Sequence, residues 1–312
     1  MQNIGAVVFP QGPAVSFGGG LIFGRMSPHF FLHAQTACAG DGVRAFPAPM
    51  GMKIIRAVFC LCALSVSGTA RADVVTRLPT NDKVVALTFD ACEGWERVSF
   101  DRPLLEFLLL RQIPFTLFAT GKFVEDNASD IAMLATLDFV DIENHSWDHP
   151  NTMHRFAPQA VEQQIVRAQE SITRATGHAP QFFRFPAGKF NARGLQAAEA
   201  LGLHVVHWRW ASGDPSESET ADRLIERAMT NVAPGDILIF HINGCGLHTA
   251  EALPQIIDRL QADGYRFVLV SDYVGQPRPR TLGMEAPVIA WRSRIEDWLT
   301  RIPVLALRGV FK

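Results

Sequence analysis

His145 and His149 stand four residues apart in Glu143-Asn144-His145-Ser146-Trp147-Asp148-His149-Pro150, just after the strand-like run 138–142. A helical turn stacks positions i and i+4 on one face, where two imidazoles can hold one metal ion. A pair of ordinary surface or core histidines shows the same spacing, so the pair gains meaning from what else the chain sends to that place. Four other polar side chains end, follow or interrupt apolar runs: Asp90, Arg184, Asp214 and His241. Asp90 alone could cap a strand with Arg184 as a salt-bridge partner. His241 alone could be a satisfied core histidine, and Asp214 before Pro215 could start a turn or cap a helix.

The elements that would position these groups alternate along the chain. Residues 84–89, 114–120, 138–144, 182–185, 204–211, 236–241 and 266–270 read as strands. Residues 102–112, 129–137, 158–176, 192–201, 221–230 and 249–263 read as helices between them, with Gly264 as a stop. Buried apolar strands separated by amphipathic helices imply an α/β fold with a parallel sheet, either a barrel or a doubly wound sheet. In both, chemistry collects at the C-terminal ends of the strands. Asp90, His145, Arg184, Asp214 and His241 all fall at or near that edge. Barrel closure is favoured, because an open sheet would not bring its first and last strands to one site.

Charge is nearly balanced, at −2 over 312 residues with no basic stripe, which argues against a nucleic-acid partner. Met52-Lys53-Ile54-Ile55-Arg56, an apolar run over 57–66 and the small-residue close Gly68-Thr69-Ala70-Arg71-Ala72 read as a signal peptide. Its apolar stretch is too short to span a bilayer. Cleavage is expected after Ala72, giving an exported protein, periplasmic or extracellular, with no transmembrane segment once the signal is removed. Residues 1–51 lie upstream, rich in Gly, Phe and Pro, and read as a mis-assigned or disordered leader before a true start at Met52. Of five cysteines, Cys92 and Cys245 remain after processing, and two thiols in an oxidising compartment invite a disulfide.

Five segments, in order, resemble the polysaccharide deacetylases of the NodB-homology type, carbohydrate esterase family 4. They are Thr88-Phe89-Asp90-Ala91-Cys92, His145-Ser146-Trp147-Asp148-His149-Pro150, Arg184-Phe185-Pro186-Ala187-Gly188, Trp210-Ala211-Ser212-Gly213-Asp214 and Ile237-Leu238-Ile239-Phe240-His241. The resemblance spans roughly 84–272, so residues 73–272 are taken as a deacetylase-like domain. It implies an irregular (β/α)7-type barrel and a metal-dependent hydrolase that removes N-acetyl groups from a glycan amino sugar. By the same resemblance His145 and His149 hold a divalent metal, zinc first, that would polarise the acetamide and activate water. Asp90 would be the general base, Arg184 its cationic partner, His241 the general acid and Asp214 the residue orienting that acid. The backbone N–H of Ala187 falls where the oxyanion is held. Trp208 and Trp210 could stack on a sugar ring, but one of them is expected in the core.

Three departures from the family pattern stand out. Ala91 takes the place of the Asp that completes the metal triad, so the third protein ligand is open. Glu93, His248, Asp90 and Cys92 are the candidates within reach in sequence. Ala187 replaces an aromatic residue, and Pro215 replaces a Trp of the groove wall. Strands ending at Asp90 and His241 would bring their following loops together, which predicts a Cys92–Cys245 disulfide. Beyond 272, residues 276–280 read as a linker and 288–301 as an amphipathic helix bearing Trp291, Ile295 and Trp298, with Ile302 just beyond. That helix would pack on the barrel or touch a membrane surface. Two other functions stay open: a carbohydrate-binding relative that has lost its metal, and a deacylase of a lipid-linked sugar.

Overall fold

The computed structural model describes residues 73–92 and 99–276. The expected leader, signal peptide, Glu93 and the C-terminal helix fall outside them. Among these residues seven strands and seven helices follow in order: β1 (Val84–Ala91), α1 (Arg102–Leu110), β2 (Phe115–Ala119), α2 (Gly121–Asp126), α3 (Ala128–Leu134), β3 (Val140–Asn144) and α4 (Pro158–Thr176). There follow β4 (Phe182–Phe183), α5 (Ala192–Ala200), β5 (His204–Val205), α6 (Ala221–Asn231), β6 (Ile237–His241), α7 (Thr249–Ala262) and β7 (Arg266–Val268). All strand pairs are parallel, in the order β5-β4-β3-β2-β1-β6, with β7 added to the start of β1.

The sheet curls into the expected irregular barrel, and the chain before β1 stitches its two edges. Val75 bridges Val206 just after β5, its N–H donating to Val205 O at 2.9 Å. Arg77 then bridges Asp236 just before β6, and Leu78 N–H donates to Gly235 O at 2.7 Å. These short pairings satisfy edge groups that would otherwise be left open.

The two-residue period of β1 sorts its side chains into two cores. Val85, Leu87 and Phe89 join Leu104 and Leu108 of α1 and Ile256 and Leu260 of α7 in the layer under the helices. Val84 and Ala86 meet Phe118, Phe182, Val206, Ile237 and Val268 in a smaller cluster within the barrel. Each such fully buried large side chain contributes roughly 1.5–3 kcal/mol of burial free energy. Asp90, on the same face as Val84 and Ala86, is therefore aimed inward at the barrel mouth.

Helix ends carry the capping chemistry that their sequences offer. Asp101 accepts the Leu104 N–H at 3.2 Å to start α1, and Gly177 at φ 76° ends α4 in the left-handed conformation. Two expectations need correction. The strand expected over 204–211 ends at Val205, because Arg209 and Trp210 turn away to the buried carboxylate of Asp236, at 2.7–3.0 Å. Helix α2 was not expected: six residues hold no readable period, and Gly121 at its start lowers propensity.

Candidate active site

Asp90 ends up beside His241 because β1 and β6 pair in register there. Arg184, just past β4, lies fully buried with its Nη1 donating to Asp90 Oδ1 at 2.8 Å and its Nε to Val206 O at 3.2 Å. Its guanidinium stacks 3.9 Å from the Phe118 ring centroid, an apolar seat that suits a planar, weakly hydrated cation. Burial pushes the Asp90 carboxyl up, but the charges of His145, Arg184 and His241 and the Arg184 hydrogen bond hold it at about 2.

His145 and His149 do not share a helix face, contrary to the i,i+4 expectation. They sit on a tight loop after β3 in which Ser146 (φ 73°) and His149 (φ 51°) adopt left-handed backbone. Local side chains offset that strain: Asn144 Oδ1 accepts the Ser146 N–H at 2.9 Å, and Ser146 Oγ accepts the His149 N–H at 3.1 Å. The start of α2 clamps the loop, with Gly121 and Lys122 N–H groups donating to Ser146 O and Trp147 O at 3.0 and 3.1 Å. Gly121 is required there, since a side chain would collide with the Trp147 ring. The imidazoles still come together, with ring centroids 4.9 Å apart.

His145 Nδ1 lies 2.9 Å from Arg184 O, so Nδ1 carries the proton and Nε2 the lone pair. That Nε2 points at Asp90 Oδ2, 3.3 Å away. Burial lowers the pKa of His145, and burial with the charge of His145 lowers that of His149 to about 3, so both rings are neutral at physiological pH. Two neutral nitrogens suit a metal half-site. The full shell does not fit: Ala91 is a buried residue with no donor atom, and no group of three His, Cys, Asp or Glu among the described residues is arranged to hold a metal ion. Of the replacement candidates, Asp90 gives Oδ1 to Arg184 and keeps Oδ2 3.3 Å from His145 Nε2, and His248 pairs with Glu251 at 3.7 Å.

Across the mouth, Asp214 Oδ1 lies 3.0 Å from His241 Nδ1, and Asp214 Oδ2 accepts the backbone N–H of His241 at 2.7 Å. Ser212 Oγ and Thr249 Oγ1 donate to the two carboxylate oxygens at 2.8 and 2.7 Å. Burial alone would lower the pKa of His241, but the charge and hydrogen bond of Asp214, with Asp90 nearby, raise it to about 9. The pair is thus a buried carboxylate holding an imidazolium, facing a second carboxylate that stays ionised.

A cavity of about 560 Å³ opens onto this arrangement, lined among others by Asp90, His149, Ala187, Trp208, Asp214, Pro215 and His241. All six candidate residues are thereby gathered at one strand-end face. Trp210 packs against the core and Trp208 lines the cavity, one of each as expected. Sequence reasoning missed Ser212 and Thr249 as partners of Asp214. Ser212 lies inside a recognised segment, but Thr249 is 35 residues after Asp214 and carries no local signal. It also missed Lys122 and Asp148 on the cavity wall, which pair at 3.5 Å. The expected Cys92–Cys245 disulfide is not formed in the structure.

A curled parallel sheet with a carboxylate, two imidazoles and a carboxylate–imidazolium pair at its strand ends defines a barrel hydrolase site. The polysaccharide deacetylase family model matches residues 77–206. A chitooligosaccharide deacetylase of Azorhizobium caulinodans is 30% identical over 217 residues, covering 65% of this chain and 97% of the relative. A peptidoglycan-N-acetylglucosamine deacetylase of Bacillus cereus is 29% identical over 192 residues, covering 61% and 68%. A solved CE4 family pseudoenzyme from Bacillus anthracis superposes with a TM-score of 0.58 at 25% identity, covering 65% and 69%. The chain belongs to the polysaccharide deacetylase family, carbohydrate esterase family 4.

Proposed function

We propose that this protein is an exported hydrolase that removes N-acetyl groups from the amino sugars of a glycan, in the manner named for its chitooligosaccharide and peptidoglycan relatives. One observation carries the reading: Asp90 and His241 pair in register at the cavity mouth, each locked by a partner of opposite charge. In this reading Asp90 takes a proton from water as its oxygen attacks the acetamide carbon. The Ala187 N–H, on a residue held at φ 54° at the cavity wall, receives the developing oxyanion. His241 then passes its proton to the sugar nitrogen, the C–N bond breaks, and acetate and a free amine leave.

A divalent metal, were one bound, would supply Lewis-acid polarisation of the carbonyl and a lowered water pKa. His145 and His149 would hold it through two nitrogens, and no step above is routed through it. The reading is tested by incubating purified full-length protein with chitooligosaccharides and peptidoglycan fragments and measuring released acetate. Acetate from either supports it, and none from any N-acetylated glycan, with or without added zinc, overturns it. Ala91 and the likeness to a pseudoenzyme favour a second reading, a glycan-binding relative, which predicts glycan retention without acetate. Export is checked by fractionation and N-terminal sequencing, with a mature start at Asp73 expected. The same fractions report whether the C-terminal segment confers membrane-surface contact.

A further inference from the structure

The turn that carries Ala187 takes the left-handed region at two successive residues, Ala187 at φ 54° and Gly188 at φ 65°. Its own hydrogen bonds lie at the long end of the normal range: Gly188 N–H donates to Phe185 O at 3.1 Å and Lys189 N–H to Pro186 O at 3.2 Å. A residue with a side chain keeps such a backbone only where its surroundings impose it. Here the surroundings are aromatic rings. Phe185 stacks on His207 with centroids 6.3 Å apart and an interplanar angle of 6°, and Phe190 lies 5.0 Å from the same imidazole. Gly188 meets Trp208. A Cβ on Gly188 would fall 2.9 Å from Trp208 Cζ2 and 3.1 Å from Cη2, so glycine is what lets the turn close on that ring.

Trp208 stands on backbone that is fixed independently of this turn. Val206 N–H donates to Phe183 O at 2.9 Å, and His207 N–H donates to Val75 O at 2.8 Å beside the bridge that closes the barrel. The His207 ring packs against the indole, 5.1 Å away at 61°. The indole also reaches the partner of the base. The guanidinium carbon of Arg184 lies 5.3 Å from the Trp208 ring centroid. Arg184 Nη2, unlike Nη1 and Nε, is buried with no hydrogen-bond partner, so the rings of Phe118 and Trp208 support the rest of that cation.

We propose that Trp208 is a positioning residue: its indole braces the Gly188 turn and the Arg184 guanidinium together, and so fixes the Ala187 N–H relative to Asp90. Asp90 acts on the attacking water while the Ala187 N–H receives the oxygen of the attacked carbonyl, so both must be in place before substrate arrives. The indole lines the cavity as well, where stacking on a sugar ring would act on binding. A brace acts instead on the reaction step.

The catalytic consequence rests on the hydrolysis proposed above, whereas the brace itself is read without substrate. Full-length wild type and Trp208→Leu are compared by hydrogen–deuterium exchange, with Trp208→Phe as the milder variant should the first fold poorly. Loss of the indole is expected to speed exchange of the Gly188 and Lys189 amides by about tenfold or more, while the β1 and β6 amides stay protected. Acetate release from an N-acetylated chitooligosaccharide should fall by about 10²-fold in kcat, with KM within about threefold of wild type. Unchanged exchange at Gly188 and Lys189 overturns the proposal. A raised KM at constant kcat also overturns it, and would make Trp208 a sugar platform. A wild type that releases no acetate removes the hydrolysis reading alone, and the exchange comparison then decides the brace.

Discussion

Asp214 holds His241 at two points, its Oδ1 3.0 Å from the ring Nδ1 and its Oδ2 2.7 Å from the backbone N–H of the same residue. One carboxylate thus fixes both the position of the strand end and the orientation and charge of the ring. With Nδ1–H engaged, the Nε2 proton is the one left to give away.

Replacing Asp214 with Asn keeps the shape and removes the charge. Burial then acts on His241 without its main opposing influence, and its pKa falls from about 9 to 6.5 or below. The acid must be protonated to act, so the basic limb of the kcat/KM profile moves to lower pH by the same amount. At pH 8 the protonated fraction of the acid, and activity with it, falls by roughly 30-fold or more. A pH–rate profile of Asp214→Asn with an unmoved basic limb would count against this role. The stability consequence has a definite sign. Because the folded pKa is raised, the wild-type pair stabilises fully below about pH 6.5, and that contribution is lost as pH rises through about 9.

Arg184 and Asp90 form a wholly buried ion pair at 2.8 Å, and removing one partner leaves the other charged and unpaired. Arg184→Met is expected to cost about 3–5 kcal/mol of stability, read by denaturant titration. It should also raise the Asp90 pKa, moving the acidic limb of activity upward. Asp90 is lowered in the fold, so its contribution is present above about pH 3.8 and lost as pH falls toward 2. Wild-type stability should therefore fall off more steeply below pH 4 than that of Asp90→Asn.

Much of this was legible in the chain, and the parts that were not share a cause. Helix α4 runs over Pro158–Thr176, the bounds read from its amphipathic period. Asp90, His145, Arg184, Asp214 and His241 could be placed at strand ends because each ends, follows or sits in a β-prone apolar run. The His145–His149 spacing suggested a helix face because sequence shows separation and not backbone handedness. The left-handed Ser146 and His149 depend on Asn144, and on α2 reaching in from another part of the chain. Barrel closure by Val75 and Arg77 was equally invisible, since isolated bridges carry no periodic pattern. Thr249 reaches Asp214 only after α6 and β6 have folded between them.

Two imidazole nitrogens bind zinc less tightly than three protein ligands. Equilibrium dialysis should therefore show a divalent ion that is lost on dialysis against buffer and returns with added metal. His149→Ala should abolish that binding while leaving the fold intact, because its ring is at the cavity wall and not in either core. Tight, stoichiometric metal surviving dialysis would mean that a third donor completes the shell.

The most direct measurement compares acetate release by wild type and Asp90→Asn on an N-acetylated chitooligosaccharide, with folding of both verified by circular dichroism. Acetate is expected from the wild type, with a loss of about 10²–10⁴-fold in kcat for the variant. Equal rates in two well-folded proteins would contradict the assignment of Asp90 as the base around which the site is built.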